Sequence, residues 1–265
     1  MLRSRPFVTQ RACVSVMSIS FAIIASAVQK LFVTTGREGV ESAPRTDWED
    51  YYRRPALFAP FTRRITAFKL LSIVDSFVSG ISVRRIAELG AGNSAFMRRL
   101  LARHPDVHYT GIDSNALGLQ LLAQQLPGDP RLTTILNDVL DPVADPVGAD
   151  LVFSTGLIEH FDPSGTAAAI ASHFEHARPG GLVVITYPVP TWLYRMIRAA
   201  AERFGTWMFP DERPLHHDEV VAEAKRHGEV LKVTMNWAIL LTQGILVARR
   251  SQVVSNFTHA AYLEE

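Results

Sequence analysis

Four acids, two glycines and one histidine set out the chemistry open to this chain. In Ile86-Ala87-Glu88-Leu89-Gly90-Ala91-Gly92-Asn93-Ser94 an apolar run ends in an acid and is broken by Gly90 and Gly92. Neither glycine has a Cβ, so backbone there can approach a bound molecule closely. A helix expected to open near Ser94 would turn unpaired N–H groups and its positive dipole end toward that molecule, which suits a carboxylate or phosphate. Asp113 closes the next apolar run, Val107 to Asp113, and Asp138 follows a third. Ionised carboxylates at such places accept from hydroxyl and amino groups. Further on, Glu159 and His160 put a carboxylate beside an imidazole that is basic near pH 7 and able to take a hydroxyl proton.

The elements that must position these residues follow from hydrophobic patterning. Strands are predicted near 84–89, 107–112, 132–136, 149–155 and 181–187, and helices near 94–104, 115–126 and 164–177. Alternation at this spacing implies parallel strands with right-handed crossovers, an α/β doubly wound sheet with helices on both faces. Such a sheet binds ligands at the carboxyl ends of its strands, where Glu88, Asp113, Asp138 and Thr155 all fall. An apolar helix over 191–204, a loop over 206–214 and a helix capped by His216, with Glu219 in the capping-box position, come next. Two strands near 229–236 and 239–248 have no helix between them and must pair antiparallel. Upstream, Ile65, Phe68, Leu71, Val74 and Val78 recur at helical spacing over 61–78 and are expected to face the sheet.

Two cofactors suit the glycines. Gly90-x-Gly92-x-x-Ala95 satisfies the dinucleotide pattern, and an acid at Asp113 accepts ribose hydroxyls of either cofactor. Glu88 two residues before the first glycine, and Asn137-Asp138 after the third strand, tip the balance. Here the chain resembles the class I S-adenosylmethionine-dependent methyltransferases, whose first motif reads much like Glu88-Leu89-Gly90-Ala91-Gly92. The run from Ala149 to Phe161 looks like that family's fourth strand and following loop, and His176 to Ile185 like its turn into the fifth strand. The resemblance covers residues 80–190. It implies a Rossmann-like seven-stranded sheet, mostly parallel with an antiparallel last strand, and S-adenosylmethionine as cofactor. Gly90, Ala91 and Gly92 would then admit the amino-acid part of the donor and Glu88 would orient the loop or accept from the donor ammonium. Asp113 would hold the ribose diol and Ser114 reach the adenine side. Asp138 would accept from the adenine amino group, Val139 pack on the ring and Thr155 line the methyl pocket. Glu159 and His160 are the catalytic candidates, with His216 and His217 as alternatives for the base. A nicotinamide oxidoreductase and a methyltransferase-like binding protein without turnover are the competing readings.

The chain has 265 residues, 48% of them hydrophobic, and a formal net charge of +1, with no basic excess that points to nucleic acid. Cys13 is the single cysteine, which excludes an intrachain disulfide or a cysteine metal cluster. No histidine–carboxylate spacing marks a strong metal site, although Glu159 and His160 could bind a cation loosely. Residues 1–33 read as a basic and apolar extension: Arg3, Arg5 and Arg11 precede a charge-free run from Ala12 to Gln29. As a helix that run spans about 27 Å, just short of a hydrocarbon core of roughly 30 Å. A peripheral membrane contact through residues 12–33, a cleaved export signal and an unordered extension are the three readings. Residues 34–79 divide into a linker and a cap helix, residues 80–250 form the methyltransferase-like domain with an acceptor cover over 190–215, and residues 251–265 are a tail. Trp48, Tyr51 and Tyr52 are unusual for a linker; the resemblance implies that this segment folds over the donor site with Trp48, Tyr51 or Tyr52 covering the ligand, the alternative being edge packing of amphipathic aromatics. The expected partner is a small-molecule acceptor, with an apolar or ring-shaped part, in the cytoplasm; no oligomeric state is assigned.

Overall fold

Among the described residues, which are 45–54, 59–78, 83–239 and 241–252 of a computed structural model, seven strands form one sheet. They are β1 (Arg85–Leu89), β2 (His108–Asp113), β3 (Leu132–Leu136), β4 (Ala149–Thr155), β5 (Ala177–Pro188), β6 (Gly228–Asn236) and β7 (Gln243–Arg250). The spatial order is β3-β2-β1-β4-β5-β7-β6. The first five strands pair in parallel, and β7 runs antiparallel to both β5 and β6. Parallel register sets Leu89 beside Ile112, Asp113 beside Leu136 and Thr155 beside Thr186, so the carboxyl ends of five strands share one rim.

Helices α1 (Trp48–Arg53), α2 (Ala59–Val78), α3 (Met97–Arg103), α4 (Ala116–Gln124), α5 (Pro163–His176), α6 (Trp192–Arg203) and α7 (His217–His227) surround the sheet. Local chemistry starts several of them. Asn115, Asp162 and Thr191 side chains accept from the backbone N–H three residues on, at 2.8, 2.7 and 3.1 Å, and Pro163 opens α5 where no N–H partner is needed. The central strands are buried on both faces, as parallel strands under helices must be. Val184, Ile245 and Val247 join one apolar cluster with Leu70, Val74 and Leu100. Their neighbours Val183, Ile185 and Leu246 join a second with Ile158, Ile170 and Val220.

Four expectations change. On α2 the buried face is Ala67, Leu70, Leu71, Ile73 and Val74, while Phe68 is 78% exposed. Helix α3 opens at Met97, not near Ser94, and has seven residues. His216 stands at the N-cap of α7 without a side-chain bond, and the Glu219 side chain, expected to reach back to it, pairs with Arg213 instead. Helix α6 buries only Tyr194 and leaves Trp192 and Met196 exposed, so most of its apolar side chains do not cover the rim. The extension 1–33, residues 34–44 of the linker and residues 253–265 of the tail lie outside the described residues. No described helix is long and apolar enough to cross a membrane.

Candidate active site

The glycine loop is shaped by the neighbours of β1. Gly90 and Gly92 have φ of +65° and +37°, a region L side chains avoid. Ala91 donates to the carbonyl of Ile112 at 3.0 Å, which holds the loop against β2. Both oxygens of Asp113 accept backbone N–H, from Gly92 and from Asn115, each at 2.7 Å. Each oxygen keeps a second lone pair for a ligand. Burial pushes the Asp113 carboxyl up, and these two N–H bonds only partly oppose it. Glu88 is buried beneath the loop and accepts from the Tyr109 hydroxyl. Burial pushes Glu88 up to about 8, against the hydroxyls of Ser94 and Tyr109.

The expected helix N-terminus does not face the loop's ligand side with free donors. Ser94 Oγ accepts from Phe96 N at 3.0 Å and from Met97 N at 3.3 Å, so the first turn of α3 is already capped. Gly92 also stands against α1. A Cβ there would overlap the Tyr52 hydroxyl, and a Cβ on Gly118 would sit 2.8 Å from the same ring. Both glycines make room for an aromatic from α1.

One cavity of about 940 Å³ runs along the rim. Glu88, Gly90, Ala91, Asp113, Ser114, Asp138, Val139, Thr155, Glu159 and His160 all line it; Gly92, under Tyr52, is the exception. Asp138 is exposed, and its Oδ1 accepts from Leu140 N at 2.9 Å, a turn-capping bond that leaves Oδ2 without a described partner. His216 and His217 are not in the lining, and His217 Nδ1 is engaged by the Tyr187 hydroxyl at 2.8 Å.

At the other end His160 meets a residue that sequence reasoning missed. His160 Nδ1 lies 3.0 Å from Asp211 Oδ1. Asp211 in turn accepts from the backbone N–H of Thr46 at 3.0 Å and from its hydroxyl. Burial pushes Asp211 up, but the Thr46 donors and His160 outweigh it and hold the carboxyl below its ordinary range. Burial lowers His160, and Asp211 only partly restores it. The imidazole is therefore neutral near pH 7, with its proton on Nδ1 toward the carboxylate and its lone pair on Nε2. Trp48 packs edge-on to the imidazole at 4.8 Å between centroids, and Phe209 lies 5.4 Å from Tyr51. The aromatic segment at 48–52 thus packs over both ends of the cavity.

Glu159 is 2% exposed, and its Oε2 has no hydrogen-bond partner among the described residues. Burial and then nearby Glu212 push its carboxyl well above the usual range. Glu212 accepts from the Tyr194 hydroxyl and is itself pushed up by burial. Glu159, His160 and Glu212 bring ligand-type atoms within 4.8 Å of one another, a grouping that no short spacing announces, because Glu212 comes from the loop after α6. The three charges in the proline-bounded stretch 210–214 were the available signal.

The residues present fit S-adenosylmethionine by their donor and acceptor chemistry. That molecule offers ammonium, ribose hydroxyl and adenine amino donors, and the cavity supplies the carboxylates of Glu88, Asp113 and Asp138 in that order along the rim. The fold and site define the class I methyltransferase architecture. Comparison with known proteins agrees. Residues 87–183 match the family model described as a methyltransferase domain. Trans-aconitate 2-methyltransferase of Acidovorax sp. (strain JS42) is 29% identical over 144 residues, 54% of this chain and 50% of that protein. The chain thus spans about half the length of the curated relatives it matches. Among solved structures, N-methyltransferase NodS of Bradyrhizobium japonicum WM9, in complex with S-adenosyl-L-homocysteine, superposes with a TM-score of 0.53 at 17% identity, covering 71% of this chain and 86% of that one. Magnesium protoporphyrin IX methyltransferase of Synechocystis PCC 6803, also with bound S-adenosyl-L-homocysteine, gives 0.57 at 12% identity over 89% and 99%. Residues 87–183 thus match a methyltransferase domain, and the sheet as a whole has the fold of solved methyltransferases.

Proposed function

We propose that this chain transfers a methyl group from S-adenosylmethionine to a hydroxyl of a small-molecule acceptor. The observation that carries the reading is a single cavity lined at one end by the carboxylates of Glu88, Asp113 and Asp138 and at the other by His160 backed by Asp211. When bound, the donor supplies an electrophilic methyl on a sulfonium. The protein's share is alignment, exclusion of water and disposal of one proton. Backbone at Gly90 and Ala91, with Glu88 below, would seat the amino-acid part. Asp113 would take the ribose diol and Asp138 the adenine amino group, with Ser114 and Val139 along the ring. Thr155 would line the methyl pocket. His160 Nε2 would accept the hydroxyl proton while Asp211 steadies the imidazolium.

The acceptor end favours a neutral, partly apolar compound such as a sugar, a glycan precursor, a lipid-linked intermediate, a quinone or a polyketide. Tyr194, Phe209 and Ile239 supply apolar lining, and the ionised Asp211 disfavours a polyanion such as the trans-aconitate in the name of the matched relatives. The reaction is placed in the cytoplasm, with residues 12–33 able to hold the chain near a membrane. Incubation of the full chain with labelled donor and fractionated cell extract, followed by mass identification of the product, tests the reading. A methylated hydroxyl compound is expected. Label appearing only on amines or carboxylates would overturn it.

A further inference from the structure

We propose that Glu159, His160 and Glu212 hold one divalent metal ion at the acceptor end of the cavity. The three side chains bring one ligand atom each to within 4.8 Å of one another. Ligands at roughly 2.1 Å from a common ion stand up to about 4.2 Å apart, so a short inward movement completes the shell. Two independent features point to a missing ligand. Glu159 is almost wholly buried yet leaves Oε2 unpartnered, and a buried acceptor in that state costs about 1–3 kcal/mol unless something satisfies it. Among the described residues no arginine or lysine pairs with it in compensation: of the cavity's cations, Arg213 is taken by Glu219, Arg63 donates to the Tyr51 hydroxyl, and Arg45 is exposed.

The surroundings are arranged as a metal's outer partners are. Asp211 holds His160 by Nδ1, which leaves the Nε2 lone pair for the ion, and Thr46 holds Asp211. The Tyr194 hydroxyl fixes one oxygen of Glu212. Two carboxylates and one imidazole suit manganese, iron or zinc. The remaining coordination positions open on the cavity, where an acceptor oxygen would complete the shell.

The inference rests on the proposed methyl transfer and refines one step of it. The ion would replace His160 as the means of deprotonation: Nε2 would become its ligand, and the acceptor hydroxyl, acidified by the cation, would release its proton to a water in the cavity. The test is titration of the full chain with Mn²⁺, followed by electron paramagnetic resonance, beside a separate S-adenosylmethionine binding isotherm. One Mn²⁺ per chain is expected. Glu159→Gln and Glu212→Gln should each weaken it at least tenfold with donor affinity kept within about threefold, which also shows that the variants fold; Glu229→Gln, on the exposed edge strand, should change nothing. If one of the two site variants fails to fold, the other carries the comparison. Absence of saturable Mn²⁺ binding, or equal binding by the wild type and both site variants, overturns the proposal. Loss of donor binding by the wild type would instead sink the methyl-transfer reading and leave the Mn²⁺ result standing.

Discussion

Asp113 does two jobs with one carboxylate. It ties the glycine loop to the start of α4 through Gly92 N and Asn115 N, and it lines the cavity where a ribose would lie. Asp113→Ala should therefore weaken donor binding at least tenfold and also cost roughly 1–3 kcal/mol of stability, since two buried N–H groups lose their acceptor. Calorimetry with S-adenosylmethionine and urea unfolding read the two effects separately; unchanged affinity would remove the ribose role. Glu88 makes a pH prediction. Its value in the fold, about 8, stands above its ordinary 4.5, so its neutral form stabilises the fold fully below about pH 4.5, and that contribution is lost as the pH rises through 8. Glu88→Gln, which cannot ionise, should reduce the fall in stability between pH 5 and pH 9 by roughly 3–5 kcal/mol, at ~1.4 kcal/mol per pH unit. Parallel pH profiles of wild type and variant would show no flow of protons at Glu88. His160→Ala should cut turnover at least about a hundredfold while donor affinity stays within a few fold; full turnover would remove His160 from the chemistry.

At the scale of elements, α1 is a clasp between the two ends of the cavity. Tyr52 fills the space over Gly92 and Gly118, Trp48 lies on His160, and Thr46 just before the helix bonds Asp211. Gly92→Ala should dislodge α1 as well as strain a positive φ. The two effects separate in a double-mutant cycle with Tyr52→Ala, where a coupling of about 0.5–3 kcal/mol is expected from direct contact. A cycle that sums to zero would mean that Tyr52 does not rest on Gly92 in solution. Asp211→Ala should free the stretch at 45–54, seen as faster limited proteolysis there than in wild type. The aromatic and charged composition of residues 47–55 marked this segment as more than a linker. Its target was not legible, because Trp48 and His160 are 112 positions apart and meet only when the sheet is closed.

For the whole molecule, β7 is the strand on which both cores depend. Leu246 belongs to one apolar cluster and Val247 to the other, and β7 joins β5 to β6. Leu246→Ala should cost about 2–5 kcal/mol, measured as a lower urea midpoint with unchanged slope. The sequence by itself determined the sheet, its antiparallel ending and the rim on which the carboxylates sit, because strand and helix periodicity is local and parallel crossovers have one hand. Of the nine residues it assigned to a cofactor, all but Gly92 line the cavity, since most stand at strand ends that alternation locates. Phe68 shows the limit within an element: the spacing on α2 was helical, but which stripe of it faces the sheet depends on how the helix is rotated against its neighbours. Only the tertiary structure decided that Asp211 stands behind His160, that Glu212 reaches Glu159 and that Gly92 makes room for Tyr52. Those pairs join loops far apart in the chain, and their distances depend on the packing of several elements at once, which no spacing along the sequence encodes.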